Sequence, residues 1–199
     1  MELAFNADDL RTRLGQMRDQ QQLAFGAACS ERLLPSYLAF VSDTGWGDSA
    51  PLREALDMVW TFLDGQSSSK ESVRQLTTLC EASIPDSDSF SSLYTSLAQD
   101  ACFSICALLD FLLDSDVGKI VEAATFATDS VDLYVQEIDN MDANGPDLEQ
   151  QILAHPIMQR ELKTQREHID SIDRATTLAA NFLIQLKNVS GKPLWESTQ

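Results

Sequence analysis

The sequence predicts an all-α fold, and three observations predict it. Apolar residues recur at spacings of three and four through segment after segment. The two-residue alternation of strands is almost absent, and β-branched clusters bounded by turn residues do not occur. A chain of 199 residues is long enough to bury about 70% of its unfolded surface in one domain. No internal repeat or boundary breaks the pattern. The prediction is therefore a single-domain multi-helix bundle over 1–199, with 190–199 as a short tail.

Taken in order, a first amphipathic helix is expected from about Asp8 to Arg18, and a second from Asp19 to about Val41. Pro35 sits inside the second and removes the donor that the Glu31 carbonyl would receive. A kink or an interruption is expected there, with an arginine or the Ser36 hydroxyl answering the freed carbonyl. Thr44-Gly45-Trp46-Gly47-Asp48 reads as a tight corner. Ser49 is the expected N-cap of the next helix, with Pro51 in its first turn and Leu52, Ala55, Leu56, Val59, Trp60 and Leu63 as its apolar stripe.

Residues 65–69 form a connector, followed by a helix carrying Val73, Leu76, Leu79 and Cys80 that Pro85 terminates. From Phe90 to Leu113 the chain is apolar nearly all round, which predicts a buried central helix. Its strongest run, Ala101 to Leu113, is short for a bilayer span and is interrupted by Asp110. Ser115 and Asp116 restart the chain into a helix to about Asn140, and a short helix follows Pro146. The last helix is expected to open at His155-Pro156 and to run to Val189. At 1.5 Å per residue it would reach roughly 50 Å, long enough for part of it to pack on a second copy as a homodimer or to protrude from the bundle.

Charge is the strongest global signal. Thirty-one Asp and Glu oppose 14 Lys and Arg, a net −17, and between Gln75 and Gln159 fifteen acids accompany a single cation, Lys119. Such a surface repels phosphate backbones and anionic lipid, so direct nucleic-acid and membrane binding are not expected. It suits a basic protein partner or divalent cations, and it also serves solubility. The four cysteines show neither metal doublets nor a disulfide framework, and Met1 to Leu14 lacks a cationic-then-apolar leader, so a cytoplasmic setting is expected.

The motifs exclude more chemistry than they offer. The corner has two glycines but no Lys-Ser or Lys-Thr to complete a phosphate loop. His155 sits at a helix start, where capping is its expected role, and His168 follows Glu167 without completing a metal-binding pair. Cys29, Cys102 and Cys106 lie in apolar stretches and read as small buried hydrophobes. No cofactor or resident metal is implied. Glu122, Thr125, Asp129, Asp132, Gln136 and Asp139 form a polar stripe at helical spacing, opposite Ile120, Ala124, Ala127, Val131, Tyr134 and Ile138. That stripe reads as a solvated face, or as carboxylates that could hold Mg²⁺ or Mn²⁺ against a second acidic helix. Of the pairs used by all-α nucleotide pyrophosphatases only Glu167 and Asp170 are formally matched.

Glu31 and Arg32 are adjacent, so on a helix they point about 100° apart and each must seek a partner on another helix. With Tyr37, Trp46 and Asp48 they make either a structural corner or the lining of a ligand site. The same residues carry a resemblance. Glu31-Arg32-x-x-Pro35-x-Tyr37, then Thr44-Gly45-Trp46-Gly47-Asp48, Leu56-Asp57-Met58-Val59-Trp60, Ile84-Pro85, Asp100-Ala101-Cys102 and His155-Pro156 together resemble the YjaG family of small bacterial proteins. The resemblance spans roughly Leu23 to Leu186. It implies an all-helical fold and a bacterial cytoplasmic setting, and it transfers no catalytic residue.

The functional reading is a non-enzymatic acidic helical interaction module. The residues nominated to bind a partner or ligand are Glu31, Arg32, Tyr37, Trp46, Asp48, Asp129 and Asp132. The alternatives are a carboxylate-rich metal-dependent hydrolase or small-ligand-binding protein, with Arg32 as an anion anchor, and an acidic mimic of nucleic acid.

Overall fold

The computed structural model describes residues 3–194, and these form helices only. The order is α1 (Ala7–Leu14), α2 (Asp19–Thr44), α3 (Ala50–Leu63), α4 (Lys70–Ala82), α5 (Thr95–Asp114), α6 (Val117–Ile138), α7 (Leu148–Ala154), α8 (Pro156–Arg174) and α9 (Ala180–Ser190). Most boundaries have a visible chemical cause. Asn6 caps α1 by accepting from the Asp8 and Asp9 amides, and Ser69 and Asp116 cap α4 and α6 in the same way. Gly45 closes α2 at φ 69°, where a residue with a Cβ is disfavoured. His155 caps α8, its Nδ1 accepting from the Ile157 amide at 3.2 Å. Ser49, the expected cap of α3, makes no capping bond. The Asp48 carboxylate takes the Ala50 amide at 2.9 Å instead.

Helix α2 lies deep in the bundle, packed along α5. Every residue from Gln21 to Leu34 is buried, and α2 packs against α3, α5, α6, α8 and α9. Gly26 permits this close approach: a Cβ there would stand 2.7 Å from Leu108 and 3.0 Å from Ile120, side chains of α5 and α6. Helix α5 begins at Thr95, five residues later than the apolar run suggests, because Phe90 is used in a ring cluster near the corner. It is long and apolar enough to cross a membrane by length and composition, yet 61% of that span is buried inside the bundle against α2, α4 and α6. One edge remains at the surface.

Pro35 does not interrupt α2, which stays helical through it to Thr44. The Ser36 hydroxyl, expected to answer the freed carbonyl, is buried with no partner among the described residues. The last helix is also not continuous. It stops at Arg174 and resumes at Ala180. Side chains of the α2 N-terminus cause the break. Gln21 Nε2 donates to the Ile172 carbonyl at 2.8 Å, and Arg18 Nη2 donates to the Thr176 carbonyl at 3.0 Å. Those groups satisfy the orphan carbonyls of a helix end, and the following Thr176-Thr177 pair has low helix propensity. Excess helix length therefore lends no support to a dimer through this segment.

Candidate functional site

The five nominated residues around the corner have separate duties. Glu31 is 3% exposed and receives a two-pronged bond from Arg53 of α3, at 2.8 and 2.7 Å, together with the Trp60 indole N–H at 2.7 Å. Arg32, 5% exposed, points to the opposite side of α2. It donates to both oxygens of Glu161 on α8 at 2.9 and 2.7 Å, and to the Ala28 carbonyl at 2.8 Å. The same guanidinium lies 3.2 Å from His168 Nδ1. Burial first, and Arg32 second, push the His168 imidazolium down to about 3, so at neutral pH the ring is uncharged and Nδ1 accepts. Burial disfavours the charged Arg32 as well, but Glu161 more than offsets it, and the guanidinium is held above its ordinary range.

These two clusters leave no functional group of Glu31 or Arg32 for a ligand. The Tyr37 hydroxyl is likewise committed, donating to the Ser83 carbonyl at 2.9 Å, with burial pushing the phenol up to about 12. Gly47, at φ 100°, leaves room for that hydroxyl, since a Cβ would lie 2.8 Å from it. Trp46 is 38% exposed and packs on Phe40 and Phe90 at ring separations of 6.0 and 5.3 Å. With Asp48 capping α3, all five are placed by structural needs. Burial also pushes the Cys29 thiol up to about 11, Arg32 pulling the other way, which keeps it a poor nucleophile.

The other two nominated residues lie elsewhere, on α6. Helices α5 and α6 run antiparallel, with Asp110 beside Lys119 (3.6 Å), Phe103 beside Phe126 (5.6 Å between rings) and Asp100 receiving the Ser130 hydroxyl at 2.8 Å. On the outer side of α6, Glu122, Phe126, Asp129, Leu133 and Glu137 follow one another at steps of three and four. Carboxylates and apolar side chains thus alternate along one stripe. Phe103 and Leu133 are each 39% exposed on it. Lys119 is the stripe's cation among the described residues, already shared between Asp110 and Glu122. At one end Leu133 and Glu137 open into a groove with Ser96 and Leu97, about 310 Å³ in volume. Asp132 points away from this stripe, into a cleft shared with α7 and α8, and is bonded to Gln136.

Asp100 was not among the nominated residues. Burial, reinforced by Asp129 and only partly offset by the Ser130 hydroxyl, pushes its carboxyl up to about 7. Asp129 is raised too, first by partial burial and then by Asp132. A lone acid in an otherwise apolar helix face was the available signal. Elsewhere, Glu167 and Asp170 diverge to Lys163 and Arg13. Among the described residues no three His, Cys, Asp or Glu converge as ligands for a metal.

Fold and site define an acidic protein whose described residues are all helix and loop, in which Glu31 and Arg32 are paired inside and a carboxylate-rich stripe with Lys119 as its cation faces outward. The chain belongs to the DUF416 family, described as a protein of unknown function, whose model matches residues 9–192. Uncharacterized protein YjaG of Escherichia coli (strain K12) is 27% identical over 158 residues, covering 79% of each chain. The YjaG protein of Salmonella typhimurium is 25% identical over the same coverage. The fold matches the crystal structure of a DUF416 family protein from Shewanella baltica OS155, with a TM-score of 0.81 at 23% identity, over 90% of this chain and 92% of that one. The resemblance carried by the corner and the helix starts is thereby borne out.

Proposed function

We propose that the protein is a non-enzymatic interaction module of the cytoplasm, and that its α5–α6 stripe binds a basic amphipathic segment of a protein partner. One observation carries the reading: carboxylates of Asp110, Glu122, Asp129 and Glu137 are interleaved with Phe103, Phe126 and Leu133, with Lys119 the cation bonded among them. A cationic helix with leucines or aromatics at spacings of three and four complements both features at once. Apolar contact supplies affinity, and the carboxylates supply steering and register. Four unpaired cysteines fit a reducing compartment. The metal-hydrolase alternative lacks a ligand cluster among the described residues and is not pursued.

The test is capture of partners from the native cell extract on immobilised protein, washed at low and high salt, beside a Glu122→Lys/Asp129→Lys variant. The reading expects a stoichiometric basic protein that the wild type holds at low salt, releases at high salt, and that the variant does not hold. A partner retained equally by the variant would place the interface elsewhere, with the exposed Ile184 and Val189 of α9 the next surface to alter. A second copy of the chain as the retained species would establish the homodimer instead.

A further inference from the structure

Between the N-terminal segment, α1 and α8 lies a cleft of about 200 Å³, walled by Phe5, Leu10, Phe25 and Ile169. Gln165 lies in this cleft, only 6% exposed. Its amide orientation is set by its neighbours: Nε2 donates to Glu161 Oε1 at 2.9 Å, the Ala124 carbonyl at 3.2 Å and Thr128 Oγ1 at 3.3 Å. Its Oε1 therefore faces the other way. That oxygen accepts from no described residue, and the Gln165 side chain lines the cleft. The result is a buried acceptor in a recess with an apolar wall and a polar rim of Asn6, Asp9, Arg13 and Arg166, fixed by a bond to the same Glu161 that holds Arg32.

The rim adds a charge. Arg13 is neutralised by Asp170 and Asp173 at 2.7 and 3.4 Å, whereas Arg166 makes no ion pair among the described residues. A ligand suited to this arrangement has a flat apolar body, an N–H or O–H at its inner end and an anionic group at its outer end. The volume limits the body to a small ring system, since a cavity of about 150 Å³ already holds benzene.

We propose that this cleft binds a small aromatic acid carrying a ring N–H or phenolic O–H, with the donor on Gln165 Oε1 and the carboxylate on Arg166. The site is independent of the acidic stripe, which lies on α5 and α6. A ligand lacking the donor would leave Oε1 desolvated and unpaired, so discrimination follows from the missing bond rather than from shape.

Isothermal titration of the full chain with indole-3-acetate and with 1-benzothiophene-3-acetate, its close isostere without the N–H, tests this directly. Saturable one-to-one binding of the indole acid is expected, about tenfold weaker for the isostere. Arg166→Ala should weaken the indole acid about fivefold, and because Arg166 bonds to no described residue its melting temperature should not move. Glu122→Lys/Asp129→Lys should leave the titration unchanged. The absence of saturable heat with both indole-3-acetate and 4-hydroxyphenylacetate at millimolar concentration would overturn the proposal. So would equal binding of the two isosteres, which would mark the cleft as a non-selective apolar recess.

Discussion

Along α2, Glu31 and Arg32 meet Arg53 and Glu161 at 2.7–2.9 Å in nearly dry surroundings. Along the outer side of α5 and α6, by contrast, Asp129 and Glu137 are exposed with no cation among the described residues bonded to them, while Asp100 is half-buried against the Ser130 hydroxyl. The pairing inside is what burial demands: an unpartnered ion in a low-dielectric core is costly, so the fold closes each charge on a partner. Nothing in the stability of the fold demands the unpaired carboxylates outside. Burial first, and a neighbouring carboxylate after it, raise both Asp100 and Asp129. Charges that the fold needs are hidden and charges that it tolerates are displayed, and this contrast is what supports the proposed partner surface.

The largest effect that tests this contrast is Arg32→Ala. It strands Glu161 in the core and should cost about 3–5 kcal/mol in urea unfolding. Arg32→Met combined with Glu161→Met should recover much of the loss, because both charges leave together. Next come Ile105→Ala and Leu109→Ala on α5, both fully buried, each expected to cost about 2–5 kcal/mol in the same assay. Neutral melts would misplace α5 in the packing.

A smaller effect separates the two regions by pH. The Asp100 carboxyl is raised from 3.8 to about 7, so the folded state holds its proton more tightly. Its contribution is present at low pH and is lost as pH rises through about 7. His168 is lowered from 6.5 to about 3, so its contribution is present above 6.5 and is lost as pH falls towards 3. Between about pH 4 and 6.5 the two slopes oppose each other. Urea midpoints of Asp100→Asn should therefore climb more steeply with pH across that window than those of wild type, and the variant should be the more stable above pH 7. A midpoint curve unchanged by Asp100→Asn would contradict the burial of that carboxyl. Smallest of all, Glu122→Lys/Asp129→Lys should move stability by no more than about 0.5 kcal/mol, as exposed substitutions do, while abolishing partner capture.

Helical periodicity carried the element order, and turn chemistry at Ser69, Gly45, Asp116 and His155 carried most boundaries. What escaped was non-local. The Arg32–Glu161 bond joins positions 129 residues apart, and no local pattern announces it. The break after Arg174 is made by Arg18 and Gln21, more than 150 residues earlier. Composition reports how apolar a helix is, whereas its place in the packing depends on its neighbours. Gly26, which admits α5 and α6 against α2, was the overlooked signal. Of the nominated residues, Glu31, Arg32, Tyr37 and Asp48 hydrogen-bond within the fold, and Trp46 packs on Phe40 and Phe90. Asp129 lies on the acidic stripe, and Asp132 faces another cleft.

The most direct test of the account is to map where a cationic amphipathic segment lands. Amide chemical shifts of the labelled protein would be followed during titration with a short Leu/Lys helical peptide at low and high salt. The account predicts saturable shifts clustered around Phe103, Phe126, Asp129 and Leu133 that fade at high salt and vanish in Glu122→Lys/Asp129→Lys. Shifts scattered over acidic residues on every helix, or gathered at Trp46 and the corner, would contradict it.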